Sequence, residues 1–281
     1  MEEVTIHAQV GRHLNIVNLL GMTLSGDLQI LLEYSPFGSL LNYLRDSRET
    51  FEDEALFTAA QYSCTQETTV EVLKDGAVVN CNVRKSEKLE ELASFSYQIA
   101  RGMEYLTHHD IIHRDLATRN VLVYENKVVK ICDFGLSKQR SEYYRMVDSK
   151  NIRLPVKWMA PESLQEKLYS EKSDVWSFGI VVWEIFTFGE SPYSAEMKDD
   201  CCQIDSWVAV LKAGLRLSKP SACPGNIYHQ SVNASFDYNY VLAVMLSATD
   251  VISFVVMAKG ADSLDSTSLV TTDLFVDTLY Q

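Results

Sequence analysis

The residues best suited to chemistry lie close together near the middle of the chain. His113, Arg114 and Asp115 are consecutive in the sequence. Asn120 follows five residues after Asp115, and Asp133 follows thirteen residues after Asn120. An aspartate is ionised at pH 7 and can accept a proton from a hydroxyl group. Because carboxylate and amide oxygens are also the ligands that Mg²⁺ prefers, this group can supply both a proton acceptor and ligands for a cation.

Three predicted elements surround these residues and must position them. Apolar residues recur every three or four positions from Leu89 to Leu106, which predicts a long helix with one buried face. Two apolar runs, 121–123 and 128–131, flank a short polar stretch and predict a β-hairpin. Residues 175–186 are apolar on nearly all sides, so we expect a helix at the centre of a domain.

The N-terminal part of the chain is predicted to contain a helix and a pair of strands. Residues 2–10 have the character of a short helix, and Gly11 is placed to end it. Residues 16–20 and 28–32 are apolar runs separated by turn-forming residues. This pattern is typical of two strands joined by a turn.

A polar region follows a short helix in the first third of the chain. Ser39 can cap a helix that continues through Arg45. Residues 46–88 are rich in polar residues without a sustained period, which indicates an insert or a long loop. The alternative is a small hairpin, because residues 70–73 and 77–79 flank an Asp-Gly pair.

The composition indicates a folded chain and argues against several classes of function. Of 281 residues, 47% are apolar and 22% are charged, close to globular averages. The net charge of −13 would repel nucleic acid, so we expect no nucleic-acid partner. The six cysteines show no C-x-x-C spacing and favour free thiols in a reducing compartment. Residues 241–258 are apolar but contain Asp250, so we expect no transmembrane span.

The motifs resemble those of one enzyme family. Residues 113–120 match the catalytic-loop pattern of protein kinases, in which His-Arg-Asp-Leu is followed by Asn. Asp-Phe-Gly at 133–135 and Ala-Pro-Glu at 160–162 follow in the expected order. The catalytic-loop positions alone would match by chance in roughly one of ten thousand such chains. Over about residues 3–225 the chain resembles a receptor-type protein-tyrosine kinase with a split kinase domain, such as the FGF, VEGF and PDGF receptors. The segments that carry the resemblance are 14–21, 113–120, 129–136, 154–162 and 173–179.

The resemblance implies an α+β, protein-kinase-like fold with a truncated N-lobe sheet and a mainly α-helical C-lobe. The implied organisation is a remnant N-lobe from helix C to the hinge (1–34), the hinge and first C-lobe helix (35–45), a kinase insert (46–88), the C-lobe with its catalytic and activation loops (89–225) and an atypical tail (226–281). The tail contains six Asp, one Lys and no Arg, a composition unlike that of a kinase.

The implied reaction is transfer of the ATP γ-phosphate to protein tyrosine in transmembrane receptor signalling. Such a transfer requires positioning, neutralisation of charge and a group that accepts the hydroxyl proton. By the resemblance, Asp115 accepts the proton, and Asn120 and Asp133 hold Mg²⁺. Arg119 is typical of receptor tyrosine kinases at its position, and residues 154–156 resemble the platform for a substrate tyrosine ring.

Nucleotide contacts are implied by a second stretch of sequence. Glu33, Tyr34 and Ser35 resemble the hinge whose backbone binds the adenine of ATP. Leu32 would then be the gatekeeper residue, and Leu122 would lie beneath the adenine ring. These residues taken alone are ordinary strand residues.

Regulatory and structural roles are implied for four further residues. Tyr143 and Tyr144 lie between the Asp-Phe-Gly and Ala-Pro-Glu motifs, and a phosphate on either can pair with Arg114. The alternative is that they are two exposed tyrosines in a flexible loop. Asp174 either caps the central helix or acts as the buried carboxylate that holds the catalytic loop, and the two roles are compatible.

The sequence also departs from the family pattern. It contains no G-x-G-x-x-G motif and no lysine before Lys74. Glu3 aligns with the helix-C glutamate that should pair with such a lysine, and His7 takes the place of a bulky apolar residue. Glu162 has no arginine at the usual distance after it, so we expect an unpaired buried carboxylate.

These departures lead to two expectations for function. The first is a receptor tyrosine kinase catalytic fragment that binds ATP and Mg²⁺ with weak or absent activity, because ATP lacks its usual lid and one cationic contact. The alternative is a catalytically inactive, pseudokinase-like or dominant-negative module that interacts with other proteins. A dimer with another receptor kinase domain and a cytoplasmic location are also expected from the resemblance.

Overall fold

The computed structural model describes residues 2–23, 29–48, 70–72, 78–139, 144–145, 154–197 and 204–223. All of them belong to the unit Met1–Leu246. Among these residues, no helix combines the length and apolarity needed to span a bilayer. Cys132 is a free thiol. The apolar run 241–258 and the atypical tail lie outside the described residues.

The predicted N-terminal helix and strand pair are both present. Helix α1 (Glu2–Val10) ends where predicted, and Gly11 follows it with a φ of +69°. This is the left-handed conformation that glycine adopts without strain at a helix end. Strand β1 (Leu19–Thr23) pairs antiparallel with β2 (Gln29–Leu32), and the turn between them lies outside the described residues.

The next elements confirm a capped helix and the hairpin alternative. Residues 40–48 are helical (α2), and the Asn42 N–H donates to the Ser39 hydroxyl oxygen at 3.4 Å, as expected for an N-cap. Strand β3 (Val70–Val72) pairs antiparallel with β4 (Val78–Asn80), so part of the polar region forms a hairpin.

A long helix and two short strand pairs frame the motif residues. Helix α3 (Cys81–His108) begins eight residues before its predicted start. Strand β5 (Ile111–Ile112) pairs antiparallel with β8 (Lys138–Gln139), and between them β6 (Val121–Val123) and β7 (Val129–Ile131) form the predicted hairpin. The predicted apolar face of α3 is buried at Leu92, Phe95, Ile99, Met103 and Leu106.

Residues 15–17 attach to β7 instead of beginning β1. The Val17 N–H donates to the Ile131 carbonyl at 2.9 Å, and the Ile131 N–H donates to the Asn15 carbonyl at 2.9 Å. These bonds form an isolated parallel bridge between Ile16 and Ile131. The predicted start of the first strand at Ile16 was therefore wrong, because the backbone groups there bind a distant strand.

The C-terminal elements build the main core. Helix α4 (Pro161–Glu166) packs against α6 (Ile204–Lys212), and α5 (Glu171–Phe186) packs against α3. Residues 173–186 of α5 are all buried, which confirms the predicted central helix. Strand β9 (Tyr144–Arg145) pairs antiparallel with β10 (Leu168–Tyr169). The core includes Ile112, Met159, Trp176, Ile180, Trp207 and Leu211.

Candidate active site

The motif at 113–120 connects β5 to β6, and a side chain of α5 bonds its backbone. The Asp174 carboxylate accepts from the His113 N–H at 2.7 Å and from the Arg114 N–H at 2.9 Å. Arg114 has a φ of +70°, and its bond to Asp174 helps to hold this uncommon conformation. Burial raises the pKa of Asp174, while the charges of His113 and Arg114 and the two backbone bonds oppose that rise.

The capping role suggested for Asp174 belongs to another residue. Ser170 is the N-cap of α5, and it forms a capping box with Ser173. The Ser170 N–H donates to the Ser173 hydroxyl oxygen at 3.0 Å. Asp174 lies four residues after the cap, so the capping alternative was wrong. The Asp174 carboxylate instead accepts hydrogen bonds from the backbone of the catalytic loop.

Both carboxylate oxygens of Asp115 have hydrogen-bond donors. The Asn120 amide donates to the Asp115 carbonyl at 2.7 Å and to Oδ2 at 2.9 Å. The Arg119 guanidinium donates to Oδ1. The Asp115 N–H donates to Nδ1 of His113 at 3.3 Å, so Nε2 of that ring donates to the Cys132 carbonyl at 3.1 Å. Four of the predicted residues thus form one fixed group.

Asp133 lies beyond the end of β7, next to a buried aromatic ring. Its side chain is exposed, and Oδ1 accepts from the Gly135 N–H at 3.3 Å. Phe134 is fully buried, with its ring centroid 4.8 Å from that of His7 and 5.4 Å from that of His113. Burial lowers the pKa of His7 below its ordinary value. The His7 imidazole packs against Phe134 in the position where an apolar side chain was expected.

The predicted hinge residues follow β2 and form hydrogen bonds with the end of β6 and the residue after it. The Glu33 carbonyl accepts from the Tyr124 hydroxyl at 3.2 Å, and the Ser35 hydroxyl donates to the Val123 carbonyl at 2.6 Å. Tyr34 lies between these anchors with a side chain that is 84% exposed. The hinge backbone is thus fixed on both sides of Tyr34.

The Glu33 side chain has a structural role that the sequence did not indicate. Its Oε1 accepts from the Asn18 N–H at 2.8 Å and from Lys130 Nζ at 2.8 Å. Burial raises the pKa of Glu33, but the bonds from Lys130 and Asn18 outweigh burial and hold the pKa below its ordinary value. These partners lie far apart in the sequence, so no local pattern could reveal them.

Leu122 lies next to the hinge, on the opposite side of its strand from the core. Its neighbours Val121 and Val123 are buried, whereas Leu122 is partly exposed. Because side chains alternate along a strand, Leu122 faces away from the core. An isolated antiparallel bridge joins its backbone to Ser39. Ser35 binds the carbonyl of the next residue on this strand, which brings Leu122 close to the hinge.

The predicted platform at 154–156 leads into a short 3-10 helix that contacts the catalytic loop. This element, Val156–Trp158, places the Trp158 ring 4.6 Å from the Arg119 guanidinium carbon. The Trp158 indole N–H donates to Oε2 of Glu184 at 2.9 Å. Sequence reasoning missed Glu184, although a signal was present: it is the only charged residue in the apolar run 175–186.

The structure describes the predicted regulatory residues only in part. Tyr143 lies outside the described residues, and Tyr144 belongs to β9, where its backbone pairs with Tyr169. Arg114 is buried, and its guanidinium carbon lies 5.1 Å from the centroid of the Tyr169 ring. The strand that carries Tyr144 therefore pairs with a residue that Arg114 covers.

Two predicted structural glutamates have different outcomes. Glu3 lies in α1, and its side chain is outside the described residues. Glu162 lies at the start of α4 and is only partly buried, so the expectation of a buried, unpaired carboxylate was wrong. Arg216, the sole arginine after Arg153, lies over the Trp176 ring at 4.9 Å.

Comparison with known proteins identifies the family. A family model described as "Protein tyrosine and serine/threonine kinase" matches residues 1–239. The chain belongs to this kinase family. It is 38% identical over 266 residues to vascular endothelial growth factor receptor 1 of Rattus norvegicus, a match that covers 81% of this chain and 19% of the receptor. It is 40% identical over 245 residues to vascular endothelial growth factor receptor 3 of Danio rerio, covering 81% of this chain and 18% of that receptor.

The chain is similar to a second type of receptor as well. The chain is 42% identical over 231 residues to fibroblast growth factor receptor homolog 1 of Drosophila melanogaster, covering 81% of this chain and 28% of the relative. The chain therefore spans between 18% and 28% of the length of these three receptors. The predicted resemblance to receptor-type tyrosine kinases is confirmed, and so is the α+β kinase-like fold. Kinases of this family use ATP and Mg²⁺.

Proposed function

We propose that this kinase chain is the catalytic region of a receptor-type protein-tyrosine kinase, which transfers the ATP γ-phosphate to protein tyrosine. The observation that carries the proposal is the arrangement around Asp115, whose two carboxylate oxygens accept from Asn120 and Arg119. A carboxylate held in this way can orient a tyrosine hydroxyl and accept its proton. Phosphoryl transfer depends mostly on such positioning and on neutralisation of charge.

The donor chemistry of the site fits Mg²⁺. Asn120 uses its amide nitrogen on two oxygens of Asp115, which leaves its own amide oxygen for a cation. Asp133 adds an exposed carboxylate. The described residues contain no cluster of three or more His, Cys, Asp or Glu that would enclose a metal. Two protein oxygens suffice for Mg²⁺ when phosphate oxygens and water complete its shell. When bound, Mg·ATP supplies the phosphoryl group and neutralises its charge.

We assign adenine binding to the hinge and ring packing to Leu122. The anchors at Glu33 and Ser35 fix the backbone on both sides of Tyr34, so its N–H and C=O are the groups offered to an adenine edge. Leu122 supplies an apolar surface next to this segment. Tyrosine would be selected on the other side of the site, where the 154–156 platform leads into Trp158, whose ring lies against Arg119.

Regulation and cellular context are part of the same proposal. Phosphate on Tyr143 or Tyr144 would bind Arg114, because β9 pairs with the residue that Arg114 covers. The relatives are named as receptors for growth factors, so we propose that the chain acts in the cytoplasmic part of such a receptor. A second receptor kinase domain is the expected dimer partner.

A second candidate function is supported by one observation on the sequence. The 281 residues contain no G-x-G-x-x-G motif and no lysine before Lys74. These are the groups that cover and clamp ATP phosphates in protein kinases. We therefore expect slow transfer by this chain alone, and an inactive interaction module is the alternative.

Nucleotide binding tests the proposal against this alternative. The thermal midpoint of the purified chain is measured with and without Mg·ATP, in parallel with Asp133→Asn. Ligand at about one hundred times its Kd stabilises a fold by roughly 2.7 kcal/mol, enough for a clear shift. We expect a shift in the parent chain that is lost in the variant. A folded parent chain without any shift would favour the interaction module.

A further inference from the structure

Glu184 is a buried carboxylate that joins two segments of the site. Its side chain belongs to α5 and is 1% exposed. Oε1 accepts from the Thr118 hydroxyl at 2.9 Å, and Oε2 accepts from the Thr118 N–H at 3.1 Å. Oε2 also accepts from the Trp158 indole N–H at 2.9 Å. One carboxylate thus bonds the catalytic loop and the indole of Trp158 at the same time.

These three bonds explain why an acidic residue occurs inside an apolar helix. Burial raises the pKa of Glu184, and the bonds from Trp158 and Thr118 together with the Arg119 charge oppose that rise. A buried carboxylate destabilises a fold unless donors surround it. An apolar side chain here would in turn leave the Thr118 and Trp158 N–H groups without an acceptor. Glu184 is therefore explained by the two segments that it bonds.

Thr118 and Trp158 both also affect the position of Arg119. Arg119 follows Thr118 directly in the chain, and its guanidinium lies 4.6 Å from the Trp158 ring centroid. The same guanidinium donates to Oδ1 of Asp115. A shift of either Thr118 or Trp158 would therefore move Arg119, and with it the Asp115 carboxylate. Small displacements of this kind are costly in sites that work by positioning.

We propose that Glu184 is a positioning residue that fixes the catalytic loop against Trp158, beside the platform at 154–156, and thereby sets the affinity for a tyrosine peptide. The inference rests on the proposed function, because it takes the platform as the binding surface for the substrate tyrosine. Its effect is expected to be larger on peptide binding than on Mg·ATP binding. The bonded partners, Thr118 and Trp158, are not among the residues assigned to Mg·ATP.

Conservative substitutions separate the individual bonds without emptying the core. Trp158→Phe removes the indole N–H and keeps an aromatic ring, and Thr118→Val removes the hydroxyl and keeps the shape. Glu184→Gln retains an oxygen for the two N–H donors, and its amide can donate to the Thr118 hydroxyl. Trp183→Phe is the matched control. It removes an indole bond of 3.0 Å to the Ser218 carbonyl from the same helix, away from the platform.

Two binding measurements on the full chain test the inference. Fluorescence anisotropy gives the Kd of a labelled peptide with a single tyrosine, and thermal shift reports Mg·ATP. We expect Trp158→Phe and Thr118→Val to raise the peptide Kd about ten- to a hundredfold, as for loss of one hydrogen bond to a charged group. We expect the Mg·ATP shift to be unchanged in both variants. Glu184→Gln and Trp183→Phe should keep the parent peptide affinity.

The outcomes that overturn the inference are distinct from failure of the proposed function. Equal weakening of peptide and nucleotide binding in Trp158→Phe would assign the bond a purely structural role. Unchanged peptide affinity in that variant, or a parent chain that does not bind the peptide, would also overturn the inference. Neither of the two binding measurements depends on phosphate transfer. A chain with the expected binding pattern that transfers no phosphate would contradict the proposed function and leave the positioning role intact.

Discussion

The catalytic loop and the N-terminal strand pair differ in how firmly the described residues hold them. Asp174 and Glu184, both buried on α5, bind the backbone of the catalytic loop and the indole of Trp158. Strands β1 and β2 instead expose Leu20, Met22 and Leu31, at 59%, 53% and 62%. The segments proposed to bind the peptide are thus held by one helix, whereas the strands that lead into the proposed hinge expose apolar side chains. A change at the hinge should therefore spare the peptide side of the proposed site.

The largest effect on folding is expected at the base of the catalytic loop. Asp174→Ala leaves the His113 and Arg114 N–H groups buried without an acceptor. We expect the free energy of unfolding to fall by about 3–5 kcal/mol, measured by urea denaturation. Glu196→Ala, at an exposed turn position, is the control and should change the free energy by less than about 0.5 kcal/mol. Similar losses in the two variants would show that the bonds from Asp174 to the loop backbone do not stabilise the fold specifically.

A large effect on transfer without an effect on folding is expected at Asp115. Asp115→Asn removes the proton acceptor and retains the size of the side chain. We expect formation of phosphotyrosine on a peptide, measured by mass spectrometry, to fall by at least about 100-fold. The Mg·ATP thermal shift should persist but decrease, because Asn120, a proposed Mg²⁺ ligand, loses its charged partner at Asp115. Transfer at the parent rate would show that another group accepts the proton.

A moderate effect on pH dependence is expected at Glu184. Burial raises its folded-state pKa, so the native chain holds this proton more tightly than the unfolded chain. The resulting stabilisation is complete below the ordinary value of 4.5 and is lost as pH rises through the folded pKa. Glu184→Gln has no such titration. Its free energy of unfolding relative to the parent should increase as the pH rises above the ordinary value of 4.5 in urea titrations. A constant difference would contradict the raised pKa.

The smallest effect is expected at the hinge. Ser35→Ala removes the hydroxyl that donates to the Val123 carbonyl at 2.6 Å. We expect the free energy of unfolding to fall by about 1 kcal/mol, and the peptide Kd to stay at its parent value. Calorimetry and anisotropy measure the two quantities on the same sample. Weaker peptide binding in this variant would mean that the two sides of the site are coupled.

Much of the fold could be predicted because its signals are local. The apolar period from Leu89 to Leu106 predicted α3, and the nearly all-apolar run at 175–186 predicted α5. Gly11 marked a helix end, where its lack of a side chain permits a φ of +69°. The start of β1 was misplaced because residues near Ile16 bind β7, a contact that no local pattern encodes.

The candidate site was predictable to the extent that its residues are fixed by motif. The motif placed His113, Asp115 and Asn120 in one loop, and the structure joins them in one bonded group. The partners of Glu33 and Glu184 were not predictable in the same way. Each of these carboxylates bonds residues that lie far away in the chain, and only the packed structure brings those residues together.

The central claim is that this chain transfers phosphate to tyrosine, and one measurement tests it most directly. The full chain, in excess over two peptides that differ only in a tyrosine or a serine, is incubated with Mg·ATP, and phosphopeptides are quantified by mass spectrometry. We predict phosphate on the tyrosine peptide alone, at a rate below the roughly 1–100 s⁻¹ typical of kinases. Phosphate on the serine peptide, or on neither peptide despite Mg·ATP binding, would contradict the account.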